Sequence, residues 1–223
     1  MKVLLTGADR PLGALAATRL SDVHHLRLTG SAPALEGALA AMDYRAADLR
    51  VPEEAAALVD DMDAVVHLDP YDPAPITGAD AEQERLDVAG RGTYVLLQAA
   101  SQAGITRVVV ASTMALFDSY SDDYGIDETW QPQPAAQAES LAPMMSELSA
   151  REFARQGELC VVCLRFGALS GSDGTTEDDA VGALTEALTM EFEQPGYLWH
   201  LFHVVSTGRF AKQGNPLPLK SSH

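Results

Sequence analysis

Short, continuous apolar runs recur along this chain, each set between stretches of helical periodicity: Val3-Leu4-Leu5, Ala64-Val65-Val66-His67-Leu68, Val108 to Ser112 and Leu159 to Phe166. A strand that is apolar at every position is buried on both faces, so helices must cover both sides of its sheet. Parallel strands also need crossover helices, and the intervening segments can supply them. Strands are expected near residues 3, 26, 44, 65, 109, 162 and 203. The helical segments run from Pro11 to Leu20, Pro52 to Asp61, Asp80 to Ala103 before Gly104, and Glu139 to Gln156. After a Gly-, Ser- and Asp-rich loop from Ser170 to Asp179, a last helix runs to about Glu193. Residues 118–138, rich in acids, prolines and turn formers, read as an irregular surface excursion. With no internal repeat and no linker, residues 1–223 are expected to form one α/β domain.

The charge balance narrows the partners. Fifteen basic against 32 acidic side chains give a net charge of -17, which disfavours nucleic acid and anionic membrane surfaces. No run of about 18 uncharged apolar residues occurs, and MKVLLTGADR lacks the features of a signal peptide, so a soluble cytoplasmic protein is expected. The only lysines are Lys2, Lys212 and Lys220; scarce lysine with surplus acid fits a salt-rich cytoplasm, or else a GC-rich genome. Cys160 and Cys163 stand three apart in a strand pattern, facing opposite sides, and read as core thiols rather than a disulfide or metal pair. The same geometry argues against zinc at His200 and His203. Glu177-Asp178-Asp179 reads as an acid-rich helix N-terminus rather than a calcium loop.

Six segments, taken in order and spacing, resemble the NAD-dependent epimerase/dehydratase family, the extended branch of the short-chain dehydrogenase/reductases. They are VLLTGADRPLG at the first turn, AADLR at Ala46 to Arg50, DAVVHL at Asp63 to Leu68, GTYVLLQAA at Gly92 to Ala100, RVVVAST at Arg107 to Thr113 and VVCLRFG at Val161 to Gly167. The resemblance implies a doubly wound parallel sheet of the Rossmann type, in strand order 3-2-1-4-5-6-7. It also implies a nucleotide-binding core over residues 1–167, leaving 168–223 as a much reduced C-terminal substrate lobe with the last strand. Family members commonly pair through two helices, which implies a homodimer through residues 80–103 and 139–156, with apolar stripes at Val95, Leu96, Ala99 and Leu141, Met145, Leu148.

In such a fold a glycine-rich turn lets the backbone approach a pyrophosphate seated on a helix N-terminus. Gly7 and Gly13 fit the outer glycine positions, with Leu12 between strand and helix. The family's middle glycine falls at Arg10, which has two readings: a cation for a phosphate, including the extra phosphate of NADP, or bulk that fills the groove. LTGSAP at the end of the second strand offers no carboxylate for the ribose of NAD, which tilts any dinucleotide affinity, weak or absent, toward NADP. Asp48 and Leu49 stand where the family borders the adenine, and His67 where it has residues near the cofactor. Asp69 would repel a pyrophosphate, or else is a solvated loop carboxylate.

The family's chemistry uses a Tyr-x-x-x-Lys pair, the Lys lowering the Tyr pKa, and a Ser or Thr that orients substrate. Thr113 stands at the Ser/Thr position as a remnant, Glu139 at the Tyr position and Pro143 at the Lys position, where it would distort or break the first helical turns. No lysine occurs between Lys2 and Lys212 and no tyrosine between Tyr124 and Tyr197, so no shift of alignment restores the pair. Two readings follow. One is a non-catalytic binding or regulatory protein; the other is an NAD(P)-dependent oxidoreductase, epimerase or dehydratase using Tyr120, Tyr124 or Glu139 as acid/base.

Overall fold

A computed structural model describes residues 1–169, 174–192 and 198–211. Seven strands, β1 (Lys2–Thr6), β2 (His25–Gly30), β3 (Asp43–Ala46), β4 (Ala64–His67), β5 (Arg107–Thr113), β6 (Cys160–Phe166) and β7 (Trp199–Val204), form one sheet in the order β3-β2-β1-β4-β5-β6-β7. All six pairings are parallel, as the resemblance implies. The order reverses beside β1, so a crevice opens at the carboxyl ends of β1 and β4, where ligands of such sheets bind.

The helices are α1 (Pro11–Leu20), α2 (Pro52–Val59), α3 (Ala81–Asp87), α4 (Thr93–Gln102), α5 (Ala138–Gln156) and α6 (Glu177–Thr189). Alternate side chains of each strand enter two apolar layers. Val3, Leu5, Val66 and Leu164 face α1 and α6; Leu4, Val65, Val110 and Val161 face α2, α4 and α5. The acid cluster begins α6, where the Thr176 hydroxyl accepts from the Asp179 N–H at 3.2 Å. The expected loop before it includes residues 170–173, and the expected helix end Glu193; both lie outside the described residues. Cys160 is half-buried and Cys163 buried, both as free thiols. His200 stacks on Phe192 on one face of β7, while His203 meets Phe117 on the other.

Three expectations need correction. The helix read as Asp80 to Ala103 is two helices joined by a π-helical turn at Val88–Gly92, where the Met145 methyl lies 2.7 Å from where a Cβ on Gly90 would be and would have to shift to admit one. Val95, Leu96 and Ala99 belong to this chain's own core, and the exposed apolar residues on that side are Tyr94, Met145 and Leu148. Pro143 does not break its helix: α5 runs for 19 residues across it. Because Pro143 lacks an N–H, only the Glu139 carbonyl loses its helical donor, and tertiary contacts outweigh that loss.

The strongest of those contacts is a buried ion pair between α5 and β6. Arg165 Nε and Nη2 donate to the two Glu147 carboxylate oxygens at 2.8 and 2.6 Å, and both side chains are under a tenth exposed. The guanidinium also lies over the Phe117 ring at 5.1 Å. Removing one partner strands a buried charge, so Glu147→Ala should cost about 3–5 kcal/mol in urea unfolding. Glu147→Met with Arg165→Met, which removes both charges, should recover most of that loss.

Candidate binding cleft

A cleft of about 660 Å³ follows the carboxyl ends of β2 to β5 beneath the loop after β4. Gly30 and Ser31, Asp48 and Leu49, and His67 line its floor in turn, while Val88 and Ala89 of the π-turn form a side wall. Thr113, Glu139 and Pro143 meet at its far end, so the three residues expected at the reacting positions are brought together. The Thr113 hydroxyl is occupied locally, accepting from the Ala115 N–H at 3.1 Å. Tyr120 and Tyr124 are not among the described residues that wall the cleft. Tyr120 donates to the Gln131 carbonyl at 2.9 Å, and both rings pack on Trp130, so the 118–138 excursion is stapled by its own aromatics.

At the other end the Asp48 carboxylate is not free for a base. Arg50 holds it with Nη2–Oδ2 at 2.8 Å and Nε–Oδ1 at 2.9 Å, keeping it below the usual carboxylate range. The same guanidinium reaches Glu84 and Asp87. Leu49 remains an apolar wall.

The glycine turn explains itself residue by residue. Gly7 has φ +69, a conformation that disfavours side chains, and a Cβ on Gly13 would stand 1.9 Å from the Gly7 carbonyl oxygen. Gly13 therefore lets α1 press directly on the turn. Leu12 is fully buried in the core and gives the cleft no side chain. The first intrahelical bond of α1 runs from Ala14 N to Arg10 O at 2.8 Å, so the N–H groups of Leu12 and Gly13 precede the helical ladder, with no side-chain cap.

Those donors would suit an anion, and a carboxylate stands beside the same turn. The backbone nitrogen and Oδ1 of Asp69 lie 3.3 and 3.5 Å from where a Gly7 Cβ would be, so Asp69 fills the volume over the turn. It is not the solvated loop carboxylate of the milder expectation: its side chain is 22% exposed, and burial pushes its carboxyl up to about 6, with Asp9 and Asp72 pushing the same way. Arg10 is tied by Nη2 to Asp72 Oδ1 at 3.1 Å, and its buried Nε has no hydrogen-bond partner among the described residues. An anion beside Asp69 would be repelled by its ionised form and would favour the protonated carboxyl, whose pKa burial has already raised to about 6. Asp69 and the Arg10–Asp72 pair thus stand beside the turn on which a diphosphate would be seated.

Sequence reasoning missed the residue at the end of β2. Asp9, from the glycine turn, accepts at Oδ2 from Ser31 N, Ser31 Oγ and Ala32 N at 3.0, 2.9 and 2.8 Å. Gly30 makes this possible, since a Cβ there would fall 2.2 Å from Asp9 Oδ1. A carboxylate thus does stand at the β2 edge, while Arg10 turns toward the loop after β4. Asp9 and Arg10 therefore reach to opposite sides of the turn, the first to the end of β2 and the second to the loop after β4.

His67 belongs to a buried polar chain under the cleft floor. Ser146 Oγ donates to the Ala89 carbonyl at 3.0 Å, and Thr93 Oγ1 donates to Ser146 at 3.1 Å. That order makes His67 Nε2 the donor to Thr93 at 2.9 Å, and Nδ1 the acceptor from Thr6 at 2.8 Å. Burial pushes His67 down to about 3, so the ring is neutral and joins β1, β4, α4 and α5. Tyr71 pins the loop after β4 in turn, donating to the Gly167 carbonyl at 2.7 Å and meeting Phe166 edge-on.

Comparison with known proteins agrees with this architecture. The sequence model of the NAD dependent epimerase/dehydratase family matches residues 3–208. No curated protein matches the chain in sequence. Among solved structures it is similar to glucuronic acid dehydrogenase from Chromohalobacter salexigens, at 22% identity over 92% of this chain and 76% of that one, with a TM-score of 0.76. UDP-N-acetylglucosamine 4-epimerase from Bacillus cereus matches at 20% identity over 92% and 78%, with a TM-score of 0.68. UDP-glucose-4-epimerase from Stenotrophomonas maltophila, with bound NAD and formylated UDP-arabinopyranose, matches at 19% over 92% and 77%, with a TM-score of 0.72. At these identities the likeness is one of fold.

The raised Asp69 carboxyl has a signed consequence. Between its ordinary pKa of 3.8 and about 6 the folded state binds more protons than the unfolded, so stability from this group falls as pH rises through that window. Above it the full penalty is present. Asp69→Asn should therefore unfold later than wild type at pH 7.5, by about 1–2 kcal/mol after discounting for partial exposure. The advantage should vanish as the pH of the denaturant titration is lowered toward 4; an advantage that persists there would refute a buried, ionised Asp69.

Proposed function

The chain belongs to the NAD-dependent epimerase/dehydratase family, and we propose that it works as a non-catalytic binding or regulatory protein rather than by the family's proton-and-hydride chemistry. The observation that carries this reading is the wall formed by Thr113, Glu139 and Pro143. Where the family's pair would stand, this chain presents a carboxylate and a ring with no ammonium, and Glu147, one turn further along α5, is locked to Arg165. Deprotonating a hydroxyl near neutral pH calls for a group tuned by a neighbouring cation, and general acid/base help of that kind is worth about 100- to 10,000-fold. Glu139 forms no ion pair among the described residues, and the Thr113 hydroxyl oxygen accepts from the Ala115 N–H.

The competing reading is an active oxidoreductase, epimerase or dehydratase in which Glu139 takes the proton, and it draws on Glu139 and Thr113 sharing one wall. In our reading dinucleotide affinity is weak or absent, and what remains favours NAD over NADP because Asp9 occupies the β2 edge. We read residues 1–167 as the nucleotide-binding core and 168–223 as a reduced substrate lobe with the last strand. No helix among the described residues is long and apolar enough to cross a membrane, and we take the protein to be cytoplasmic. The homodimer is retained on altered contacts, with Tyr94, Met145 and Leu148 as its apolar face.

With NAD or NADP and a panel of uronates, nucleotide sugars and simple alcohols, no change in nicotinamide absorbance is expected. Turnover lost in Glu139→Gln would establish the competing reading. The converse variant, Glu139→Tyr with Pro143→Lys, tests whether the rest of the pocket still supports the chemistry. In sedimentation at tens of micromolar a dimer is expected, converted to monomer by Leu148→Glu; a monomeric wild type would rule the dimer out.

A further inference from the structure

Three features around the glycine turn act on the same volume. Asp69 stands over Gly7. The Arg10–Asp72 pair bridges the turn to the loop after β4, and Tyr71 fastens that loop to Gly167. The cleft beyond the turn is also acidic, with five carboxylates against two arginines along its walls. One of those arginines, Arg50, is committed to Asp48, Glu84 and Asp87, which leaves Arg85 as the wall cation with no ion pair among the described residues.

The stretch beside β2 and β3 is different in kind. Gly30, Ser31, Ala47, Leu49 and Val88 give the cleft an apolar wall with a polar edge there. Resting on the binding-protein reading above, we propose that Asp69 decides what the cleft accepts: it holds the seat of a diphosphate, so the cleft takes an uncharged nucleoside and turns away a dinucleotide. A flat base with a neutral sugar meets apolar walls and hydroxyl-bonding groups there. A ligand carrying two adjoining phosphates has to displace Asp69, open the Arg10–Asp72 pair and enter a surplus of negative charge.

Calorimetry with adenosine and NAD at fixed salt, on the full chain, tests this. Wild type should bind adenosine at least about tenfold more tightly than NAD. Asp69→Ala, which removes both charge and bulk, should improve NAD binding by about tenfold or more while adenosine stays within about threefold. Asp69→Asn removes the charge and keeps the bulk, so its gain for NAD should be smaller, about threefold; it also carries the test if the alanine variant fails to fold. Wild type binding NAD as tightly as adenosine, wild type binding no adenosine, or folded variants with unchanged or weaker NAD affinity would each overturn the proposal. Tight NAD binding without turnover would sink it and leave the binding-protein reading standing, whereas turnover in the absorbance assay would sink that reading itself.

Discussion

How closely α1 approaches the turn after β1 governs everything at the cleft. A Cβ on Gly13 would sit 1.9 Å from the Gly7 carbonyl oxygen, so only a glycine allows the helix to start where it does. That contact fixes the α1 N-terminus at the tip of a central strand, with β2 on one side and β4 on the other. Because the sheet order reverses there, the loops after β1 and β4 diverge and leave a crevice between them. Two apolar layers, one on each face of the sheet, hold this geometry regardless of what the crevice contains.

Buried polar contacts then position the helices around that crevice. The chain from Thr6 through His67 and Thr93 to Ser146 links the sheet to α4 and α5, and Arg165 grips Glu147, the next residue of α5. Each group in these networks has a partner of matching chemistry, so their burial costs little relative to leaving one unmade. They hold α5 against the sheet, and with it Glu139 and Pro143 on the cleft wall. Unusual residues collect at the rim instead: Arg10, Asp69, Glu139 and Pro143 disturb no strand, and Pro143 forfeits only the helical partner of one carbonyl.

The strands and their order were legible because a doubly covered parallel strand leaves a continuous apolar run, as in Val108 to Ala111, and because the six family-like segments come in sequence. The convergence of Thr113, Glu139 and Pro143 followed from the positions that the family resemblance assigns to them. Contacts between distant residues carried no local signal. Asp9 meets Ser31 only because Gly30 lacks a side chain, and Asp69 is buried only because Tyr71 and Asp72 draw its loop down. Nothing local marks Glu147 among the acids of its helix, because its partner Arg165 lies 18 residues on, in β6. The π-turn at Val88–Gly92 was missed for a related reason: Gly90 lies against Met145 from another helix, which periodicity along one segment does not report.

The central claim is that this chain keeps its family's frame while the phosphate seat and the reacting positions hold residues of different chemistry. A crystal structure determined after soaking with saturating NAD tests it most directly. The account predicts Asp69 still against Gly7, Arg10 still bonded to Asp72, and no diphosphate on the α1 N-terminus. A diphosphate seated on the Leu12 and Gly13 amides, with Asp69 swung out of the turn, would contradict it.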